Sequence, residues 1–422
     1  MTNFVLVLVD DMRYDLLPQL AEVRGSVFER GHNSNPVCVP SRTSILTGNH
    51  SQSTGMYGNS PPVGGYAMFD DSDTLPLRLR AGGYTSGLFG KYLNDYNPEH
   101  ATRIPPGWDD WWAITSDGDD YYGYQVSDGG VPRTYGHAPE DYLTDVIARR
   151  AEHFCAVAPE PFFAMVTPVA PHIDAVPADR YLGALRDRPY HPASFNVSGK
   201  DQPDWLRQMP KLNEQSIETL GLLRLNMRRT LLAVDDLMLG IRRTLASRGI
   251  LEETIVIFAS DNGYMWGEHK LTGKSVPYLE ATRMAFVVQA SEFFGFRPNH
   301  KALVQNIDIA PTILDIAELP TDGMDGKSLV PELSGATGRD YLIVEHHAQG
   351  RVPAFVKVIT KTNQTYTWLG TGEEELYDLN SDPLQMTNLA TDPPSTLRQK
   401  TLRQIVKDYV GDKPPPGMDV LP

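Results

Sequence analysis

Residues 3–9 read Asn-Phe-Val-Leu-Val-Leu-Val, an apolar, β-branched run that stops abruptly at Asp10-Asp11. A run this short, with no polar alternation, predicts a strand buried on both faces, as in a parallel sheet. Comparable runs recur at 85–89, 162–166, 254–259 and 285–289. Helical patterns separate them, one over Asp141 to Val157 and a longer one from about Ser216 to Arg248. The longer one places Leu220, Leu223, Met227, Leu231, Val234, Met238, Ile241 and Leu245 on one face by steps of three and four, with Gly249 as its stop. Strands alternating with helices predict an α/β fold, a mostly parallel central sheet sandwiched by helices.

Beyond Gly335 the pattern changes. Strand-like pieces at Tyr341–Glu345, Phe355–Thr360 and Thr365–Leu369 precede one more helix, over Ser395–Tyr409. These predict a large domain over 1–334 and a smaller C-terminal subdomain over 335–422, an antiparallel sheet with a helix. The tail Lys413-Pro-Pro-Pro-Gly417 cannot continue that helix, because proline has no amide hydrogen to donate.

The formal charge of -15 argues against a nucleic-acid partner, which would demand an excess of Lys and Arg. An anionic substrate would likewise need basic groups gathered locally in its pocket. No run approaches the roughly 20 apolar residues of a membrane span. Neither a basic leader nor a cleavage motif precedes the first apolar run, so the sequence as written reads as cytoplasmic. A leader removed before numbering would leave the same pattern on an exported protein. The two cysteines, Cys38 and Cys155, are too few for a disulfide scaffold, although one bridge between them stays open.

Two acidic clusters sit at the ends of apolar runs: Asp10-Asp11 after the first, and Asp261-Asn262-Gly263 after the one ending at Ala259. Ligands of parallel α/β sheets sit beyond the carboxyl ends of the strands, so clusters distant in sequence are able to converge there. Their carboxylate and amide oxygens suit Ca2+, or less well Mg2+, rather than zinc. The competing reading of each is a turn or a helix cap.

The segment Val37-Cys38-Val39-Pro40-Ser41-Arg42-Thr43-Ser44-Ile45-Leu46-Thr47-Gly48 carries a Cys-x-Pro-Ser-Arg core followed by Leu-Thr-Gly. It resembles the signature of the formylglycine-dependent sulfatases. Further matches to that family are Asp10-Asp11, Gly90-Lys91, Pro171-His172, Asp261-Asn262, Gly273-Lys274, Asn306 to Leu314 and Glu375 to Pro383, so the likeness spans roughly residues 3 to 390. Within the family, Gly90 to Tyr96, Tyr142 to Val146 and Ser260 to Tyr264 look most like the N-acetylglucosamine-6-sulfatase branch.

The resemblance implies an alkaline-phosphatase-type α/β sandwich that hydrolyses a sulfate monoester, on a sugar such as 6-sulfated N-acetylglucosamine. It implies that a formylglycine-generating enzyme oxidises Cys38 to formylglycine, whose hydrate attacks sulfur. A geminal diol then expels sulfate by re-forming its carbonyl, which a serine cannot do. Metal ligands would be Asp10, Asp11, Cys38, Asp261 and Asn262, with Ca2+ as the ion. Arg42, Lys91 and Lys274 would neutralise the sulfate oxygens, and His172 or Lys274 would protonate the departing alcohol.

One departure stands out: many relatives have histidine two residues after the Gly-Lys lysine, and here that position is Leu93, which accepts no proton. Asn94 is the neighbouring candidate for holding the diol by hydrogen bonding. His269 and His346, with His347, are further candidates for substrate contact, each against a structural alternative. The aromatic residues Trp108, Trp111, Trp112, Tyr121, Tyr122 and Tyr124 favour packing over sugar stacking, and Asp235-Asp236 in the long helix reads as solvated or paired. Two other functions compete: a phosphate or phosphonate ester hydrolase on the same scaffold, and a glycan-binding relative without catalysis, which would have lost a motif cysteine, lysine or ligand.

Overall fold

The computed structural model describes residues 1–422 except 116–120, 187–188, 292–293, 392–395, 412 and 422. Among the described residues, nine strands form one sheet, in the order Ser26–Val27, Phe286–Gln289, Thr254–Ser260, Asn3–Val9, Phe162–Thr167, Thr85–Gly90, Asp110–Ile114, Gln125–Asp128 and Val131–Thr134. The strands from Thr254–Ser260 to Asp110–Ile114 run parallel. Antiparallel pairs close both edges. The run at 285–289 is therefore a strand, but it lies antiparallel beside Thr254–Ser260, a direction its composition does not encode.

The first strand is buried along its whole length because both of its faces meet a core. Val5, Val7 and Val9 join one apolar cluster and Phe4, Leu6 and Leu8 the other. The helices Leu143–Val157 and Glu214–Arg248 supply side chains to the first cluster, and Leu75–Ala81 and Ile309–Ile316 to the second. At about 1.5–3 kcal/mol for each fully buried aliphatic side chain, these two layers supply the main driving force for folding.

The long helix begins at Asn213, whose side chain accepts from Ser216 N, and ends at Gly249 in the left-handed region. At the C-terminal end, four antiparallel strands, Tyr341–His346, Phe355–Thr360, Gln364–Leu369 and Glu374–Asp378, form a separate sheet. The fourth strand overlaps the segment Glu375 to Pro383, which the sequence marked only as a family landmark. Helix Leu397–Val410 packs on one face of this sheet through Leu402 and Val406. The expected start of that helix, Ser395, lies outside the described residues. No helix among the described residues is long and apolar enough to cross a membrane.

Candidate active site

Parallel register brings the two acidic clusters together. Val9 pairs with Ser260, so Asp10 and Asp261 leave adjacent strands at the same end. Asp11, at φ 65°, turns its amide onto Asp261 Oδ1 at 3.1 Å. Asn262 Nδ2 donates to Asp11 Oδ1 at 2.6 Å. Gly90 pairs with Thr167 on the neighbouring strands, which delivers Lys91 and the segment bearing His172 to that same end.

Cys38 opens helix Cys38–Thr47, and Arg42 follows one turn later on the same side. The Sγ atom lies 3.6 Å from Asp10 Oδ1 and 2.8 Å from Lys274 Nζ. Lys91 Nζ meets Asp10 Oδ2 at 2.6 Å, and Lys274 is hydrogen-bonded to Asp11 Oδ1. Ligand atoms of Asp10, Asp11, Cys38 and His172 all lie within 4.8 Å of one another. His172 Nε2 is 3.6 Å from Asp11 Oδ2, while Nδ1 lies 2.5 Å from the Ile173 carbonyl. A carbonyl at Nδ1 requires the proton there and leaves Nε2 turned toward the cluster.

Burial pushes the Cys38 thiol up to about 12, with Asp10 adding to the effect and Lys274 and Lys91 opposing it. That burial favours the thiol over the thiolate, which is the nucleophilic form. Burial alone would raise Asp10, but Lys91, His172, Arg42 and Lys274 together hold it well below the usual carboxylate range. Asp261 is pushed up to about 6 by burial and by Asp10, against Arg42. Three acids, Asp10, Asp11 and Asp261, thus face three bases, Arg42, Lys91 and Lys274, in near-neutral balance. A divalent cation added to that set makes the centre net positive, as an anionic ester requires. The donors fit a hard cation, being carboxylate and amide oxygens, and Asn262 Oδ1 is buried without a hydrogen-bond partner.

Arg42 lies beside the acids. It is 0% exposed, with Nε on Asp261 Oδ2 at 2.9 Å, Nη2 3.3 Å from Asp10 Oδ2 and Nη1 on the Lys91 carbonyl at 2.9 Å. The guanidinium ties the acids to Lys91 from beneath. Leu93 is buried in the same apolar layer as Tyr92 and Tyr96. No hydrogen bond or ion pair among the described residues links Asn94, His269 or His346 to the cluster around Cys38.

Asn94 is half-buried, and its backbone carbonyl accepts from Tyr66 N at 2.9 Å. His269 is fully buried, stacked on Tyr278 at 4.2 Å and 3.0 Å from Gln202 Nε2, so packing engages its ring. His346 is equally buried, between His347 and Phe355. Trp108, Trp111, Trp112, Tyr121 and Tyr124 are buried in the cores. Asp236 pairs with Arg180 at 2.9 Å, and Asp235 accepts the amides of Ala21 and Glu22. Both cysteines are free.

Several supports escaped the sequence reading. Arg13 Nη1 reaches Glu268 Oε1 at 2.6 Å and the Tyr264 carbonyl at 3.2 Å, clamping the first strand's end to the loop that leads to Lys274. Tyr121 Oη donates to the His172 carbonyl at 2.9 Å. Asn306 Nδ2 holds Ser41 Oγ at 2.8 Å, and Ser41 in turn donates to the Asp261 carbonyl at 2.5 Å. An arginine two residues beyond a strand-end acid pair was the available signal for the first of these.

The family model for sulfatases matches residues 2–319, most of the chain. The chain belongs to the sulfatase family. A second model, for the C-terminal part of N-sulphoglucosamine sulphohydrolase, matches residues 267–410 of this sulfatase. It is 32% identical to the N-acetylglucosamine-6-sulfatase of Homo sapiens over 92% of this chain and 81% of that protein. With the enzyme of the same name from Capra hircus it shares 32% identity over 92% of this chain and 80% of the relative. A solved structure in complex with its substrate D-glucosamine-2-N,6-O-disulfate superposes with a TM-score of 0.81 at 22% identity, covering 97% of both chains. The phosphonate monoester hydrolase of Agrobacterium radiobacter has the same fold, with a TM-score of 0.74 at 19% identity over 97% of this chain and 95% of the other.

Proposed function

We propose that this sulfatase removes the 6-O-sulfate of a glucosamine-type sugar, using Ca2+ and a formylglycine made from Cys38 by a formylglycine-generating enzyme. The observation that carries the reading is the seating of Cys38, on the first turn of its helix against Asp10 and Lys274, among two further bases and His172. The sugar assignment is supported by the names of the relatives at 32% identity.

Asp10, Asp11, Asp261 and Asn262 would hold the cation, with the residue at position 38 beside it. When bound, the cation supplies a Lewis acid that draws charge from a sulfate oxygen. The formylglycine hydrate supplies a hydroxyl nucleophile that the neutral thiol does not. Lys91 and Lys274 offset charge on the ester oxygens, and Arg42 fixes the acids rather than touching substrate. His172, protonated on both ring nitrogens with Nδ1–H held by the Ile173 carbonyl, gives its Nε2 proton to the departing sugar oxygen and is left neutral. Leu93 takes no part in proton transfer.

Peptide mass spectrometry on protein from its native host tests the nucleophile. The Cys38 peptide should be about 18 Da lighter than the cysteine form, because one oxygen replaces sulfur and two hydrogens. Fully active protein with an intact thiol would overturn the mechanism. On the modified protein, 6-sulfated glucosamines should be cleaved faster than phosphate or phosphonate monoesters. The reverse order would transfer the activity to the phosphonate-hydrolase reading.

A further inference from the structure

A second cavity, of about 700 Å³, lies between the segment leading to Cys38 and the C-terminal sheet, and shares no residue with the site above. Four cations line it, Arg30, Arg283, Lys301 and Lys361, against one acid, Glu29. The chain as a whole runs the other way, with 38 basic and 53 acidic residues. Lys361 is balanced by Asp340 at 2.5 Å. The two arginines are satisfied differently, by neutral acceptors. Arg30 donates to the carbonyls of Lys361 at 2.8 Å and Thr360 at 2.6 Å, and Arg283 donates to the Glu29 carbonyl. Backbone carbonyls fix a guanidinium in place without cancelling its charge. His32 also lines the cavity, 3% exposed.

We propose that this cleft binds a sulfated polysaccharide chain at sugars other than the one being hydrolysed. The proposal rests on the sulfated-sugar reading for its choice of ligand. Arg283, Arg30 and Lys301 would take sulfo or carboxylate groups. Nucleic acid fits less well: the Tyr14 ring, which could stack on a base, is covered by Arg283 at 3.9 Å. The cleft's walls, Arg30–His32 and Leu279–Arg283, run directly into the segments that carry Cys38 and Lys274. A chain held there would raise the local concentration of reactive ends near the centre.

The experiment uses Cys38→Ala protein, which binds without turnover, and a polysulfated octasaccharide as probe. Lys301→Glu together with Lys361→Glu alters two exposed side chains, and a urea denaturation midpoint equal to the parent's checks that folding is preserved despite the lost Lys361–Asp340 pair. In that background the double variant should bind the octasaccharide about tenfold more weakly at roughly 0.1 M salt, with a shallower salt dependence. With Cys38 intact, the same pair should leave kcat/KM for a monosulfated monosaccharide unchanged and raise KM for the oligosaccharide. Equal octasaccharide affinity in variant and parent would overturn the proposal. So would an oligodeoxynucleotide of matched charge that displaces the octasaccharide as well as unlabelled octasaccharide does. Should the wild type cleave no sulfated sugar while the affinity difference persists, the functional reading fails and the cleft stands. Hydrolysis without an affinity difference removes the cleft alone.

Discussion

Glu345 is a buried carboxyl outside the chemistry. It accepts from Gln52 N and from Tyr409 Oη, both at 2.9 Å, yet burial outweighs these and pushes it up to about 7. The unfolded chain ionises it near 4.5, so the native state holds a proton that the unfolded state has lost between those values. Stability therefore falls as pH rises through that window and is flat above it. Glu345→Gln removes the titration. At roughly 1.4 kcal/mol per pH unit, the variant should gain on the wild type by at most about 3 kcal/mol between pH 5 and pH 8. Urea denaturation at both pH values checks this, and a difference that does not change with pH would sink it. At the same scale, Cys38 was marked by the resemblance of its segment to the sulfatase signature, and the acid pairs by residue type and their place after apolar runs. The burial of His269 and His346 was not, because a histidine carries no mark of which side of its loop faces solvent.

The element that most tightly constrains the centre is the end of strand Thr85–Gly90. Gly90 sits at φ 124°, and a Cβ there would lie 2.2 Å from the Thr167 carbonyl oxygen. Only glycine admits so close an approach of two backbones. The next amide, Lys91 N, donates to that same carbonyl at 2.9 Å, so the closeness that demands glycine also aims the lysine. Gly90→Ala should cost about 1–3 kcal/mol of stability and at least about tenfold in kcat. Gly83→Ala is the control, because it also has positive φ, at 84°, but has nothing within 4 Å of its added carbon. Comparable kcat losses in the two variants would show that strain alone, not the aim of Lys91, is responsible.

At the scale of the whole molecule, the centre joins residues from both halves of the chain, so cation binding and folding are linked. Ca2+ at a hundred times its Kd should stabilise the protein by about 2.7 kcal/mol and raise Tm accordingly, with Mg2+ giving less. Calorimetry with and without EGTA measures the shift. Asn262→Ala, which deletes the buried unpartnered oxygen, should shrink it. An unchanged Tm in fully active protein would count against the cation assignment. The C-terminal sheet belongs to this linkage too. Lys357 donates to the Pro277 carbonyl, and Tyr278 donates to Glu375 at 2.7 Å, gripping the chain just past Lys274.

By itself the sequence determined the parallel strands, through apolar runs buried on both faces, and the helix faces between them, through their period. It also marked the centre, because Cys38, Lys91, His172, Lys274 and the acid pairs keep recognisable neighbours. Tertiary structure alone decided which of those residues meet. The pairing of Val9 with Ser260 is a long-range register, and no local pattern encodes it. The same holds for the pairing of Arg42 with Asp261, and for the antiparallel direction of Phe286–Gln289. The cations of the second cleft are scattered over 30–361: strand pairing joins Arg30, Arg283 and Lys301, and the C-terminal sheet adds Lys361. Charge and burial at a site are sums over neighbours in space, and the order of residues along the chain does not list those neighbours.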